Sequence, residues 1–337
     1  MLEKYNVEKI VWFMWLQGFH DAPAIVKSCF TSWKQHNPSW QIEFIDASNL
    51  YDYLPTHTLQ ELLIKSDITA ASFSDLVRLE LLHEYGGVWA DSTLLCQKPL
   101  DVWLPEVTEN GLFMFSRPGE DRHIASWFIA ARAGNILIDK WKSHVNSYWE
   151  SRKSTDDYFW LHHAFTDLLL TDSEALAAWK LTPSIAAGPC HRLQAFGLLE
   201  EINNPTELLS DDVPVMKLTY RIPPVRRDEN YESLLERILS LYPPTLSADD
   251  HTSDEDVVEK DHLPFVTLSI STNNLGDHIQ AAALERLLAL HKVDSQKSFD
   301  RDKELDMVEK PYSMVLSGWG NDHWPPSEAL DPLYISF

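Results

Sequence analysis

The chain has 337 residues, enough for one large domain with an appendage or for two domains. An apolar fraction of 44% with 13 Trp suits a globular protein with a substantial core. Lys and Arg number 28 against 51 Asp and Glu, a formal charge of −23, which argues against broad nucleic-acid or anionic-membrane binding but leaves room for a local diphosphate pocket.

Three widely spaced cysteines, Cys29, Cys96 and Cys190, are too few for a disulfide framework or a zinc site and read as reduced core thiols. The N-terminal segment is charged at Glu3, Lys4, Glu8 and Lys9, and no segment reaches the roughly 18 apolar residues of a spanning helix. The expectation is a cytoplasmic protein with at most peripheral membrane contact.

In chain order, residues Ile10–Leu16 (IVWFMWL) form a continuous apolar run that predicts a buried strand, with Gln17-Gly18 as the loop beyond it. Pro23–Trp33 reads as a helix burying Ile25, Val26, Cys29, Phe30 and Trp33, and Asn37-Pro38 turns the chain into a second strand at Trp40–Ile45. A strand-helix-strand opening of this kind is typical of nucleotide-binding α/β folds. Trp12 and Trp15 would then either stack on a nucleotide base or fill the core.

The most informative stretch is Ala70–Cys96. Leu76, Leu79, Leu82 and Tyr85 recur at three-residue steps, with Val77 and Leu81 widening the stripe, so Ser72–Tyr85 is an amphipathic helix. Gly86-Gly87 ends it, Val88–Ala90 is a short buried strand, and Asp91 stands at that strand's carboxyl end, where open α/β sheets bind ligands. Asp75 and Arg78, three apart on the helix, present a carboxylate and a guanidinium together. Singly these are a surface ion pair and a turn residue; their order is what carries information.

Further along, Thr93–Cys96 stays extended, Lys98-Pro99-Leu100 leaves the sheet, and Gly111–Ser116 and Ser126–Arg132 read as strands. Ile136–Trp149 is an amphipathic helix. Asp156–Leu170 is a second helix in which Asp157 is either a cap or a functional acid beside His162 and His163. Val213–Arg221 reads as a strand leaving the domain, carrying the cations Lys217 and Arg221, and Tyr231–Leu241 as a helix stopped by Pro243-Pro244. Ser247–His262 is a solvated acidic linker, with seven acidic residues and one Lys between Asp249 and Asp261. The chain then restarts with strands at Phe265–Ser271, Ser313–Gly318 and Tyr334–Phe337, a loop at Asn273–Asp277 and a helix at His278–Leu290.

Ser74, Asp75, Arg78, Tyr85, Gly86, Gly87, Trp89 and Asp91 in this order resemble the capsular polysaccharide synthesis glycosyltransferases and the related DxD sugar-binding glycosyltransferases. Trp12, Trp15, Gln17-Gly18, Ser32-Trp33, Asn37-Pro38 and Lys217-Leu218-Thr219 resemble the same capsular family. In the tail, Asn274, Gly276-Asp277, Gln280 and Ser317-Gly318-Trp319 resemble the start of a polysaccharide pyruvyl transferase. The resemblance implies a Rossmann-like GT-A domain with a mixed central sheet over residues 1–246, a linker at 247–262, and a small C-terminal α/β appendage at 263–337.

It also implies transfer of a sugar, with retention, from a nucleotide-diphosphate donor (a UDP-sugar) to an oligosaccharide or lipid-linked glycan, alongside other capsule-assembly enzymes. Asp75 and Arg78 would hold the donor sugar and phosphate, with Trp12, Trp15, Gln17 and Lys217 around the nucleotide. Such chemistry calls for Mn²⁺ or Mg²⁺ on hard oxygen ligands, with Asp91 as anchor and Thr93 beside it. The chain reads Asp91-Ser92-Thr93, so one carboxylate of the DxD pattern is a hydroxyl; either Asp157 completes the shell or the metal binds mainly through substrate. The role of Asp157 as base, nucleophile or ligand stays open. An inactive nucleotide-sugar-binding scaffold and a fragment of a bifunctional pyruvyl transferase are the alternatives.

Overall fold

The computed structural model describes residues 7–54, 69–150, 152, 154–155, 157–198, 209, 213–223, 227 and 229–244, together with four strands further on. The chain divides into two compact units, residues 1–46 with 70–246, and residues 47–69 with 247–337.

The first unit contains β1 (Ile10–Met14), β2 (Gln41–Ile45), β3 (Gly87–Ala90), β4 (Leu94–Cys96), β5 (Leu112–Gly119), β6 (Arg122–Ala131) and β7 (Val215–Lys217). Its main sheet runs β2-β1-β3-β6-β5, the first three parallel and β6 antiparallel to both β3 and β5. Buried on both faces, β1 and β3 are unbroken apolar runs of the kind central parallel strands require. β4 and β7 form a separate antiparallel pair that sets Leu94 opposite Lys217.

Among the described residues, the helices of seven residues or more are α1 (Ala24–His36), α2 (Ala70–Tyr85), α3 (Leu100–Val107), α4 (Ile136–Glu150), α5 (Trp160–Thr171), α6 (Ser173–Lys180), α7 (Arg192–Leu198) and α8 (Glu229–Leu241). Strand alternation sorts them into two layers. Val11, Phe13, Val88, Ala90, Phe128 and Ala130 join one core with Val26, Cys29 and Trp33 of α1 and Leu234 and Ile238 of α8. The intervening Trp12 faces Tyr85 at the end of α2, ring centroids 5.6 Å apart, and its indole N–H donates to the Gly86 carbonyl at 2.8 Å. Trp33 stacks on Phe128 and donates to the Leu94 carbonyl at 2.8 Å, fastening α1 to β4. Cys29, Cys96 and Cys190 are free and buried.

Two glycines turn α2 into β3. Gly86 (φ +66°) closes the helix and Gly87 (φ +91°) opens the strand. A Cβ on Gly87 would stand 2.5 Å from the Ile10 carbonyl oxygen, so only glycine lets β3 pair this closely with β1.

Several elements differ from expectation. The first strand stops at Met14, and Trp15 to Gln17 lie beyond it. Lys98-Pro99-Leu100 leads into α3, a helix without a counterpart in the sequence expectations and with Pro105 inside it. The strands foreseen at Gly111–Ser116 and Ser126–Arg132 are the longer arms of one hairpin, β5–β6, with Arg117 at φ 52° in its bent end. The 213–221 strand shortens to the three residues of β7, which returns to β4 instead of leaving the domain.

Among the described residues the second unit has the strands β8 (Phe265–Ser269), β9 (Ser295–Asp300), β10 (Tyr312–Leu316) and β11 (Leu330–Tyr334), all parallel in the order β11-β10-β8-β9. β9 (SQKSFD) has no apolar run to announce it, and the last strand falls earlier than the expected Tyr334–Phe337. The predicted linker at 247–262, the loop at 273–277 and the helix at 278–290 lie outside the described residues. Among the described residues, no helix is long and apolar enough to cross a membrane.

Candidate active site

Adjacent parallel strands end on the same edge of a sheet, and the register Trp12↔Trp89, Phe13↔Ala90 carries β1 and β3 to a common edge. Immediately beyond it lie Trp15 and Asp91. The Asp91 backbone N–H donates to the Trp127 carbonyl at 2.9 Å, so β6 holds the turn from its other side.

Three elements converge on the Asp91 carboxylate. Its Oδ1 accepts from Arg78 Nη2 of α2 at 3.2 Å and from the indole N–H of Trp89 at 2.9 Å. Its Oδ2 accepts from Lys217 Nζ of β7 at 2.8 Å, and the same ammonium donates to Thr93 Oγ1 at 2.9 Å. Arg78 also pairs with Asp75 at 2.8 Å, donates to Ser74 Oγ at 3.2 Å and lies over the Trp89 ring at 5.0 Å. Its side chain is only 4% exposed, and Nε is buried with no hydrogen-bond partner among the described residues. A buried guanidinium donor left over after two carboxylates are served is a ready contact for an incoming anion or hydroxyl.

Electrostatics separates the two acids. Burial acts to raise Asp91, but Lys217 and Arg78, with hydrogen bonds from Lys217 and Trp89, outweigh it and hold its carboxyl at about 2. Burial pushes Asp75 up to about 7 against the pull of Arg78 and a hydrogen bond from Trp160, with the Asp91 charge adding to the rise. Asp91 is thus a fixed anion, and Asp75 carries the pair's exchangeable proton near neutrality. For stability, the folded Asp75 keeps a proton that an unfolded carboxyl loses near pH 4. Its contribution is fully present below that pH and is lost as pH rises through 7. Urea-unfolding midpoints measured from pH 4 to 8 are expected to decline more steeply for the native chain than for Asp75→Asn. Parallel curves would show that Asp75 titrates normally.

The other residues marked in the sequence are placed as follows. Trp12 is 1% exposed, bonded to Gly86 and packed in the core, the second of its two expected roles. Trp15 is half-buried at the strand edge, with its indole N–H unpartnered among the described residues and its ring edge-on to Tyr220 at 5.1 Å. Gln17 is exposed, just before a helical turn at Gly18–Asp21. Asp157 accepts from the Phe159 backbone N–H at 3.0 Å and pairs with His163 Nδ1 at 2.5 Å, and so braces the entry to α5. Among the described residues it makes no ion pair with Arg78 or Lys217. His162 is kept neutral: burial, with Arg78 and Arg122 nearby, lowers it to about 3.

Several neighbours carried no sequence signal. Tyr158, exposed ahead of α5, is within electrostatic reach of Asp91, Asp75, Arg78 and Arg221. Arg122, at the start of β6, lies over the Phe159 ring at 3.8 Å. His191 Nε2 accepts from the Trp127 indole at 3.0 Å, which leaves Nδ1 to donate to Gln194 Oε1 at 2.6 Å. These contacts span 3 to 64 residues and have no motif that a single sequence displays.

A divalent ion on Asp91 and Thr93 was the sequence expectation. Both Asp91 oxygens and the Thr93 hydroxyl are engaged by cationic or indole donors, and no group of three His, Cys, Asp or Glu converges among the described residues. An octahedral Mg²⁺ or Mn²⁺ on these residues would have to displace the Lys217 ammonium from the same two oxygens.

Fold and site together define a mixed α/β sheet consistent with a Rossmann-like, GT-A type of fold, with a charged cluster at the carboxyl ends of its central strands. Residues 2–238 match the family described as capsular polysaccharide synthesis protein, and the chain belongs to that family. It is 29% identical over 161 residues to "Glycosyltransferase afumC" of Aspergillus fumigatus, which is 43% of this chain and 41% of that protein. It is 27% identical over 166 residues to "O-glycosyltransferase PaGT" of Phomopsis amygdali, covering 44% and 41% respectively. The match spans about two-fifths of each curated relative's length. A solved PaToxG glycosyltransferase overlaps 61% of this chain and 85% of its own at 16% identity with a TM-score of 0.36, too slight an overlap to carry an argument.

Proposed function

We propose that this chain is a glycosyltransferase that moves a sugar from a nucleotide diphosphate, a UDP-sugar, to an acceptor hydroxyl on a surface glycan. The observation that carries the reading is the convergence of Asp75, Arg78, Asp91 and Lys217 at the carboxyl edge of β1 and β3. Family membership and the printed names of the relatives support it.

The chemistry matches the charges present. As the bond from the anomeric carbon to the β-phosphate oxygen breaks, its electron pair adds negative charge to the diphosphate, and the sugar gains oxocarbenium character. Arg78 and Lys217 face the first charge and the carboxylates the second. Asp75, bearing a proton near neutrality, can both donate to and accept from sugar hydroxyls. Trp15, at the end of β1, offers an aromatic edge for the nucleotide base.

The test is calorimetric titration of the full chain with UDP, GDP, UDP-glucose, UDP-galactose and UDP-N-acetylglucosamine, followed by assay of sugar release. Saturable binding of one nucleotide sugar with turnover is the expected result. Binding without hydrolysis or transfer to any acceptor would turn the reading to that of a nucleotide-sugar-binding module. No binding by a folded chain would overturn it.

A further inference from the structure

The divalent ion expected on Asp91 and Thr93 would lie between their side-chain oxygens. In this chain that position, between Asp91 Oδ2 and Thr93 Oγ1, is filled by the Lys217 ammonium at 2.8 and 2.9 Å. Lys217 reaches it from β7, whose pairing with β4 sets Lys217 opposite Leu94, the residue after Thr93. The Leu218 N–H to Thr93 carbonyl bond, 2.8 Å, locks the two segments together. The side chain is 12% exposed, so the charge is held in place and largely shielded from solvent. An ammonium has three N–H donors. Asp91 and Thr93 use two, and among the described residues the third remains for a further acceptor.

We propose, resting on the reading above, that Lys217 stands in the place of the divalent metal, so that this chain binds and activates its nucleotide-diphosphate donor without a metal ion. Asp91 and Thr93 orient the ammonium and do not coordinate an ion. In the transfer step the anomeric carbon–oxygen bond breaks with its electron pair left on the β-phosphate, and the remaining Lys217 N–H donates to that oxygen. Arg78 supplies the second cation through its unpartnered Nε. The acceptor oxygen then bonds the anomeric carbon, and its proton passes to solvent. With Asp75 protonated, Arg78 and Lys217 less the Asp91 carboxylate leave the cluster one net positive charge, which matches the one negative charge that the leaving group gains.

The test begins with the native full chain. Titrations with UDP and GDP are run in EDTA and again in Mn²⁺, with Mn²⁺ alone as a further arm. The proposal expects diphosphate affinity in EDTA within about twofold of that in Mn²⁺, since the cations are covalent parts of the chain. Lys217→Ala is expected to weaken UDP by about tenfold or more in EDTA while leaving UMP within about twofold, because the lost contact is to the β-phosphate. Binding of UDP or GDP that appears only with Mn²⁺, or Mn²⁺ binding lost in Asp91→Asn, would overturn the proposal while leaving the glycosyltransferase reading intact. So would a folded Lys217→Ala chain that binds UDP as the native one does. No diphosphate binding in either condition would overturn the donor reading and this proposal with it. The comparison of EDTA with Mn²⁺ on the native chain decides the matter even where the variant fails to fold.

Discussion

Asp91→Asn is expected to lower transfer by about a thousandfold, the scale seen when a preorganised electrostatic element is removed from a reacting site. It is also expected to destabilise the fold by about 3 kcal/mol, the lower end for breaking a buried ion pair, since Asp91 is itself about a quarter exposed. The substitution keeps shape and removes charge. It leaves Arg78 and Lys217, 4% and 12% exposed, facing a neutral amide. The activity loss follows from orientation, because Asp91 Oδ1 aims the guanidinium and Oδ2 the ammonium. The pH dependence gives an independent check. A carboxyl held at about 2 in the folded chain stabilises it above pH 4, and that contribution is lost as pH falls from about 4 towards 2. Urea midpoints should therefore fall more steeply below pH 4 in the native chain than in Asp91→Asn. A variant with native midpoints and turnover would reduce the cluster to a surface ion pair.

Arg78→Lys is the second large effect. The guanidinium spans Asp75 at 2.8 Å and Asp91 at 3.2 Å from two nitrogens, donates to Ser74, and lies over the Trp89 ring. An ammonium is a point charge that cannot hold this planar geometry. The expected losses are about 2 kcal/mol of stability and about a hundredfold in kcat/KM. Part of the stability loss comes from Asp75 and Asp91 being left less well separated. Asp75→Asn removes that repulsion, so Arg78→Lys should cost less in its background than alone. A double-mutant cycle by urea unfolding measures the difference, and strict additivity would show that Arg78 serves the two acids independently.

The helix and strand carrying Asp75, Arg78 and Asp91 were legible because their signals are local. A three-residue apolar repeat, a Gly-Gly stop and a short apolar strand depend on residues within one or two turns of one another. The bent end of hairpin β5–β6 and helix α3 lack a local signal, for the same reason in reverse. Arg117 at positive φ and Pro105 inside a helix break local rules that tertiary packing overrides. Asp157 looked like a partner for Asp91 because acid and aromatics recur in its segment. Its bonds instead go to Phe159 and His163, next to it in the chain.

The sequence by itself determined the alternation of strands and helices, the placing of Asp91 beyond a buried strand, and the pairing of Asp75 with Arg78 on one helix face. Each follows from backbone periodicity and needs no knowledge of the rest of the chain. Only the tertiary structure decided that Lys217, 126 positions away, shares Asp91 and Thr93, that Trp12 is core while Trp15 lies at the edge, and that Asp75 and Asp91 hold protons so differently. The reason is physical. A carboxylate's partners and proton affinity are set by what burial removes and which charges the fold returns, and a β4–β7 pairing made across 120 residues leaves no periodic trace in either segment.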